Sequence, residues 1–253
     1  MTAIYLVNVG SNMSHRYRAR SPVFDDRPWV FVSFPSSISE SSQQYSCHAL
    51  PFVRVRDDNP IYTHADPCWD ELSYGDSCSN PRARSLKGVT KGDILLFWGL
   101  LWRNNGGGWQ GFTGEHGWYL FGGFRVEEIA VPGQVLHQVS ERNRPRAEKN
   151  GHYINGSGIL QQDNYVFLGD PSFSSRFMQA VDLEVEKSSG LIYRVFSSAK
   201  GALLAWKGNP SWKSSLRSCR KILDLNDQVA RSRAEIVSDV IHEQTGFDLL
   251  RGL

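Results

Sequence analysis

Apolar and polar positions divide this chain into short runs, most of them too brief for helices and bounded by Gly, Pro, Ser or Asp. Ala3 to Gly10 (AIYLVNVG) reads as a short buried strand that ends at the glycine, and Trp29 to Pro35 (WVFVSFP) as a second strand closed by proline. The stretch between them, SNMSHRYRARSPVFDDRP, reads as a loop returning to the sheet, and the Ser-rich SSISESSQQYS as a connector. The strongest signal is GVTKGDILLFWGLLW, a tight KGD turn followed by an apolar run. GWYLFGGFRVEEIAV, Gly117 to Val131, is its expected antiparallel partner, with RNNGGGWQGFTGEHG as a Gly-rich loop projecting between the two. DNYVFLGD and IYRVFSS read as further strands, and RNRPRAEKNGH as a basic loop.

Only the tail has helical spacing. Val229, Ile236, Val237, Val240 and Ile241 recur at helical intervals between Asn226 and Gln244, and Gly246 sits where a helix stop belongs. No internal repeat is visible. Many short strands, few helices and one C-terminal helix predict a single α+β domain over residues 1–253, built on a small curved sheet or β-barrel with peripheral helices.

Composition narrows the class. With 253 residues, 40% hydrophobic and 21% charged, the chain has the balance of an ordinary globular protein with a real core. No apolar run approaches the ~20 residues that cross a bilayer, so no membrane partner is expected. The brief apolar start lacks a basic leader, and Cys47, Cys68, Cys78 and Cys219 form no CxxC pair, so free thiols in the cytoplasm are expected.

Charge changes the picture more. The net charge is only +2, yet Lys187, Arg194, Lys200, Lys207, Lys213, Arg217, Arg220 and Lys221 follow one another with no Asp or Glu among them, and Tyr193, Phe196, Trp206 and Trp212 are interleaved. Arg16, Arg18 and Arg20 lie in an equally acid-free start. Basic clusters mixed with aromatics are the footprint of a polyphosphate partner; a solvated basic face is the plainer alternative.

The densest polar stretch is YTHADPCWDELSYGD, Tyr62 to Asp76. If it is extended, His64 and Asp66 share a face, and a carboxylate that accepts from one imidazole nitrogen leaves the other to act as a base. Asp76 can orient a water or read a donor on a base edge, although it can equally cap a turn. Tyr74 can stack on a base, and Gly75 permits close backbone approach. His152 follows Asn150 in a loop, Ser175 and Arg176 pair a hydroxyl with a guanidinium fork suited to an oxyanion, and Arg82 and Arg84 suit phosphate. Trp109 in the Gly-rich loop can wedge or stack at an opened base step, or simply anchor the loop. Asp93 reads as a turn residue. A metal site from His64, Cys68, Cys78 and His152 follows no standard zinc spacing, and no dinucleotide, phosphate-loop or GxSxG motif is present, so no metal or soluble cofactor is expected.

Two resemblances add to this reading. KGDILLF followed by GWYLFGGFRVEEI resembles the core of PUA-like domains, the group with the ASCH and EVE modules, over about residues 88–131. More extensively, VNVGSN, RARSPVF, HADPCWDELSYGD, SLKGVTKGDILLFWGLLW, NGHY, FLGDPSFSSRF and SSLRSCR, in that order, resemble the third nucleotide-modification-associated domain family. Members are found beside phage and bacterial DNA-modification genes. The resemblance implies work on a modified base in DNA, for example of deazaguanine type, within a modification or defence system. Its partners would be DNA and other DNA-modification proteins.

Combined with the residues, it leads to two readings. In the first, His64, Asp66 and Asp76 are catalytic in a hydrolytic step on the base substituent; Tyr74, Gly75, His152, Ser175 and Arg176 hold the substrate; and Arg18, Arg20, Arg82, Arg84, Trp109, Lys213, Arg217 and Arg220 contact nucleic acid, the last three within a basic C-terminal part, residues 187–253. In the second, the chain is a reader that captures a modified or flipped base without chemistry.

Overall fold

The computed structural model describes residues 2–33, 35–36, 43–54, 62–63, 66–153, 160, 163–182 and 219–253. Its centre is a hairpin, β7 (Ile94–Asn104) against β8 (Phe112–Ala130), paired antiparallel from Ile94↔Arg125 to Asn104↔Phe112. This is the expected pair, but the loop between them is shorter than its glycines predict. Both strands extend into the Gly-rich stretch, leaving only residues 105–111 between them.

Each hairpin strand carries two partners on its outer edge. β1 (Ala3–Asn8) runs parallel to the first half of β7, and β2 (Ser21–Val23) runs parallel to its end. Asp93 sets the first register: Oδ1 accepts from Ala3 N at 2.7 Å, and Oδ2 accepts from Thr90 N at 2.7 Å. It is thus a turn residue that also ties β1 to β7. On the far side, β8 pairs first with β10 (Ser175–Asp182) and then with β9 (Asn164–Gly169). β6 (Ser73–Ser77) adds beyond β9, and β11 (Arg220–Asp224) beyond β1. The result is a curved, mixed sheet of eight strands, open rather than closed. The alternative of a closed barrel is therefore set aside, because β6 and β11 end the strand order as edges and do not pair with each other. A separate three-stranded piece, β3 (Pro35–Ser36), β5 (Tyr62–Thr63) and β4 (Gln43–Gln44), lies off the main sheet.

β7 reads as a continuous apolar run because both of its faces are covered. Ile94, Leu96, Trp98, Leu100 and Trp102 face one cluster together with Ile4 and Leu6; Leu95, Phe97 and Leu101 face another with Tyr5 and Val7. The first cluster is closed by α2 (Gln228–Thr245), the expected C-terminal helix, through Ala234, Val237, Val240 and Ile241. Asp227 caps it by accepting from Ala230 N at 2.9 Å, and Gly246 ends it in the left-handed region at φ 72°. Val229 and Ile236 stay exposed despite their spacing.

Not every expected element forms as read. Trp29 to Ser33 forms no strand: it is tied to β2 by the bridge of Trp29 to Val23, by Val30 N donating to Pro22 O at 3.1 Å and by Ser21 Oγ bonding to Val32, while the buried Trp29 indole serves the core and donates to Phe177 O at 3.0 Å. Ser175, Arg176 and Phe177 of FSSRF open β10, and SYGD lies in β6. The predicted strand IYRVFSS lies outside the described residues.

Candidate functional site

Asp66 is the hub of the polar stretch. Its Oδ1 accepts from Gly75 N at 3.0 Å and from Asn150 Nδ2 at 3.4 Å, and its Oδ2 lies 3.0 Å from His152 Nε2. An ionised carboxylate only accepts, so Nε2 is the donor, which assigns the ring's tautomer from the network. Asn150 locks the far side: its Nδ2 also reaches Ser73 Oγ at 3.1 Å, and its Oδ1 accepts from His152 N at 3.1 Å. The carboxylate is 5% exposed and the imidazole 13%.

Gly75 explains why the ring fits. A Cβ at this position would lie 2.0 Å from His152 Cδ2 and 2.8 Å from Asn150 Oδ1, so the imidazole rests directly on the β6 backbone. The opposite wall arrives by a second set of contacts. α1 (Arg144–Glu148) leads into Asn150, and Arg146 fastens it: Nε donates to Glu71 O at 2.7 Å, and Nη2 to Leu72 O at 3.0 Å and Gly169 O at 2.6 Å. Glu128 holds the residues before α1 by accepting from Ser140 N at 2.9 Å and Asn143 Nδ2 at 2.8 Å.

Strand alternation separates Asp76 from this cluster. Gly75 faces His152, so Tyr74 and Asp76 point to the other face of β6. There the Tyr74 hydroxyl donates to Asp76 Oδ2 at 2.5 Å, and Arg82 Nη2 reaches the same oxygen at 3.4 Å. Tyr74 is 1% exposed, and its ring packs against Phe97 and Phe167, so it is core and not a surface for a base to stack on. Burial, and then the Asp76 charge, push its hydroxyl well above the ordinary tyrosine range, so it remains a donor. Arg82, expected on phosphate, is committed to Asp76 in this arrangement.

The structure thus brings together Asp66, Gly75 and His152, with the His152 ring against Asp66 where that of His64 was expected; His64 itself lies outside the described residues. Asn150 was missed as a member. The signal was in NGH, where an Asn side chain bonding two residues ahead makes a local turn.

A cleft of about 550 Å³ opens nearby, walled by Phe31, Tyr45, Trp69, Asp70 and Arg176 among others. Thr63 and Pro67, which bracket Asp66 along the chain, also line it. Arg176 stacks its guanidinium 4.2 Å from the Trp29 ring and donates from Nη2 to Trp29 O at 2.5 Å. Ser175 beside it donates to Arg176 O at 2.8 Å.

The expected nucleic-acid contacts are scattered. Arg20 lies over the rings of Trp102, Trp109 and Phe112 at 4.7, 4.8 and 5.2 Å, which makes Trp109 a partner of Arg20 and not a bare wedge. Arg18 and Arg84 are exposed. Arg220 is on β11 opposite Leu6, while Lys213 and Arg217 lie outside the described residues. Cys68 lines the cleft, and Cys78 is buried in the second core cluster. Burial raises both thiols, Cys78 to about 12. Among the described residues no group of three or more His, Cys, Asp or Glu is placed to hold a metal ion, and no helix is long and apolar enough to cross a membrane.

The profile of nucleotide modification associated domain 3 matches residues 3–222. The chain belongs to this family. The match takes in every strand from β1 to β10, most of β11, and the whole Asp66–Gly75–Asn150–His152 cluster, and stops short of α2. No curated protein and no solved structure matches the chain. Family membership ties the protein to nucleotide modification; it does not extend to the PUA-like core, whose barrel the open sheet lacks.

Proposed function

We propose that the chain alters a modified base in DNA, with His152 as general base and Asp66 as the group that orients it. The observation that carries this reading is the 3.0 Å contact from His152 Nε2 to Asp66 Oδ2 in a nearly dry setting. A carboxylate so placed holds one tautomer and stabilises the imidazolium once a proton is taken. In a hydrolytic step on a base substituent, His152 takes a proton from water as its oxygen bonds to the substituent carbon, and returns it to the group that leaves. Membership in a nucleotide-modification family supports the substrate class.

The test is mass spectrometry of nucleosides released from DNA carrying a deazaguanine-type base, before and after incubation with the protein. A mass change that disappears in His152→Ala is the expected result. Retention of that DNA with no mass change would sink the enzyme reading and leave the chain a reader.

A further inference from the structure

The cleft beside Asp66 has two kinds of wall. One is aromatic. Phe31 and Trp69 meet edge to face at 6.0 Å and are braced from behind by Trp29 and Phe121. Trp69 is held further by Gly122, where a Cβ would lie 2.3 Å from its ring. The polar groups of the neighbouring wall are used internally: Ser33 Oγ and Thr63 Oγ1 bond to each other, and the Tyr45 hydroxyl donates to Ser33 O at 2.8 Å. Beside these groups the rings of Phe31 and Trp69 line the cleft.

The other wall is cationic. Arg176 has no carboxylate within ion-pairing distance among the described residues, and of its five donors only Nη2 has a protein acceptor. Burial lowers its pKa, and the charge of Asp70 opposes that shift. A guanidinium partly stripped of water and without a counterion is a seat for an anion, and its fork suits phosphate. His48, exposed at the rim, lies on the same wall system.

We infer that this cleft binds a nucleotide, its base against Phe31 and Trp69 and its phosphate at Arg176. About 550 Å³ is within the range of roughly 300–1,000 Å³ for small-molecule sites. Aromatic faces take any base, and the guanidinium takes the phosphate attached to it. The inference rests on the reading above for choosing a nucleotide over other aromatic anions. The same chemistry is offered by a free mononucleotide and by one unit of a DNA strand.

Calorimetric titration of the full chain tests it with four probes: deoxyguanosine monophosphate, deoxyguanosine, inorganic phosphate and an eight-nucleotide single strand. Guanine suits because its N1–H and amino group can donate to a carboxylate such as Asp70. Arg176→Gln should weaken the monophosphate by about tenfold or more and leave deoxyguanosine unchanged. Because Arg176 also holds Trp29 O, Ser46→Trp provides a second variant: Ser46 is exposed on the cleft wall, and the new ring should block binding with only a small change in melting temperature, since Ala49 N loses Ser46 Oγ but keeps Ser46 O as acceptor at 3.0 Å. A strand that binds much tighter than the monophosphate assigns the DNA source, and equal binding assigns the free nucleotide. Monophosphate binding that survives both variants, or no binding of either monophosphate or strand by the unaltered protein, overturns the inference.

The two proposals fail separately. Binding that depends on Arg176 with no mass change in DNA removes only the catalytic reading, and a mass change unaffected by Arg176→Gln and Ser46→Trp removes only the cleft.

Discussion

His152 Nε2 donates to Asp66 Oδ2 at 3.0 Å across 86 residues of chain. Asp66 should matter through the ring it holds. Asp66→Asn puts an amide where an acceptor-only carboxylate stood and removes the charge that stabilises an imidazolium. We expect turnover to fall by about 10²–10⁴-fold, the size of a general-base contribution, in both Asp66→Asn and His152→Ala. The double variant should be no worse than either single one. A clean multiplication of the two losses in steady-state rates would show that the residues do not act as a unit.

Gly75→Ala should imitate His152→Ala without touching the imidazole chemically. The added methyl would lie 2.0 Å from Cδ2 and 2.7 Å from Nε2, so the ring must leave Asp66. The β6–β9 ladder through Gly75↔Val166 does not depend on the side chain and should persist. Full activity in Gly75→Ala, measured beside a near-unchanged circular dichroism spectrum, would refute the placement of His152.

Gly122→Ala should act on the cleft from behind. Its Cβ would meet Trp69 at 2.3 and 2.5 Å and Ser175 O at 3.0 Å, so the indole has to tilt away from β8. Overpacking of this kind costs about 1–3 kcal/mol, to be read as a lower melting temperature. Trp69 fluorescence should shift as well, measured against a Trp69→Phe control.

Glu128 provides a pH test. Burial alone would raise its carboxyl, but hydrogen bonds from Ser140 and Asn143 outweigh it and hold the pKa below the usual value. A depressed folded pKa contributes stability that is present above the unfolded value, about 4.3 for glutamate, and lost as pH falls through the folded one. Melting temperatures from pH 7 to pH 3 should therefore fall more steeply below pH ~4.3 in the unaltered protein than in Glu128→Gln. Parallel curves would remove Glu128 as the anchor of the segment that delivers His152.

The basic run ending at Lys221 remains the proposed phosphate contact. Replacing Arg217 and Arg220 by Ala should weaken DNA binding equally on modified and unmodified duplexes and flatten the salt slope by roughly 2. Unchanged affinity and slope at low salt would make the run a solvated face.

Sequence pattern by itself determined the local elements whose periodicity is their own cause. The doubly buried run of β7, its hairpin with β8, and the apolar stripe of α2 with Gly246 after it were all legible, because burial of a face is written directly into residue spacing. Asp66, Gly75 and His152 were each recognisable as candidates from residue type. Their association was not. Asp66 meets His152 only because β6 pairs with β9 and Arg146 pins the segment after α1 to Glu71, Leu72 and Gly169. Likewise, Tyr74 and Asp76 turn from Gly75 to the opposite side only once SYGD becomes a strand, and Trp29, Phe31, Trp69 and Arg176 meet only when β10 pairs with β8. Contacts at such separation depend on which strands lie side by side, and the energy that selects a partner strand is shared over the whole sheet, so no short stretch of residues carries it.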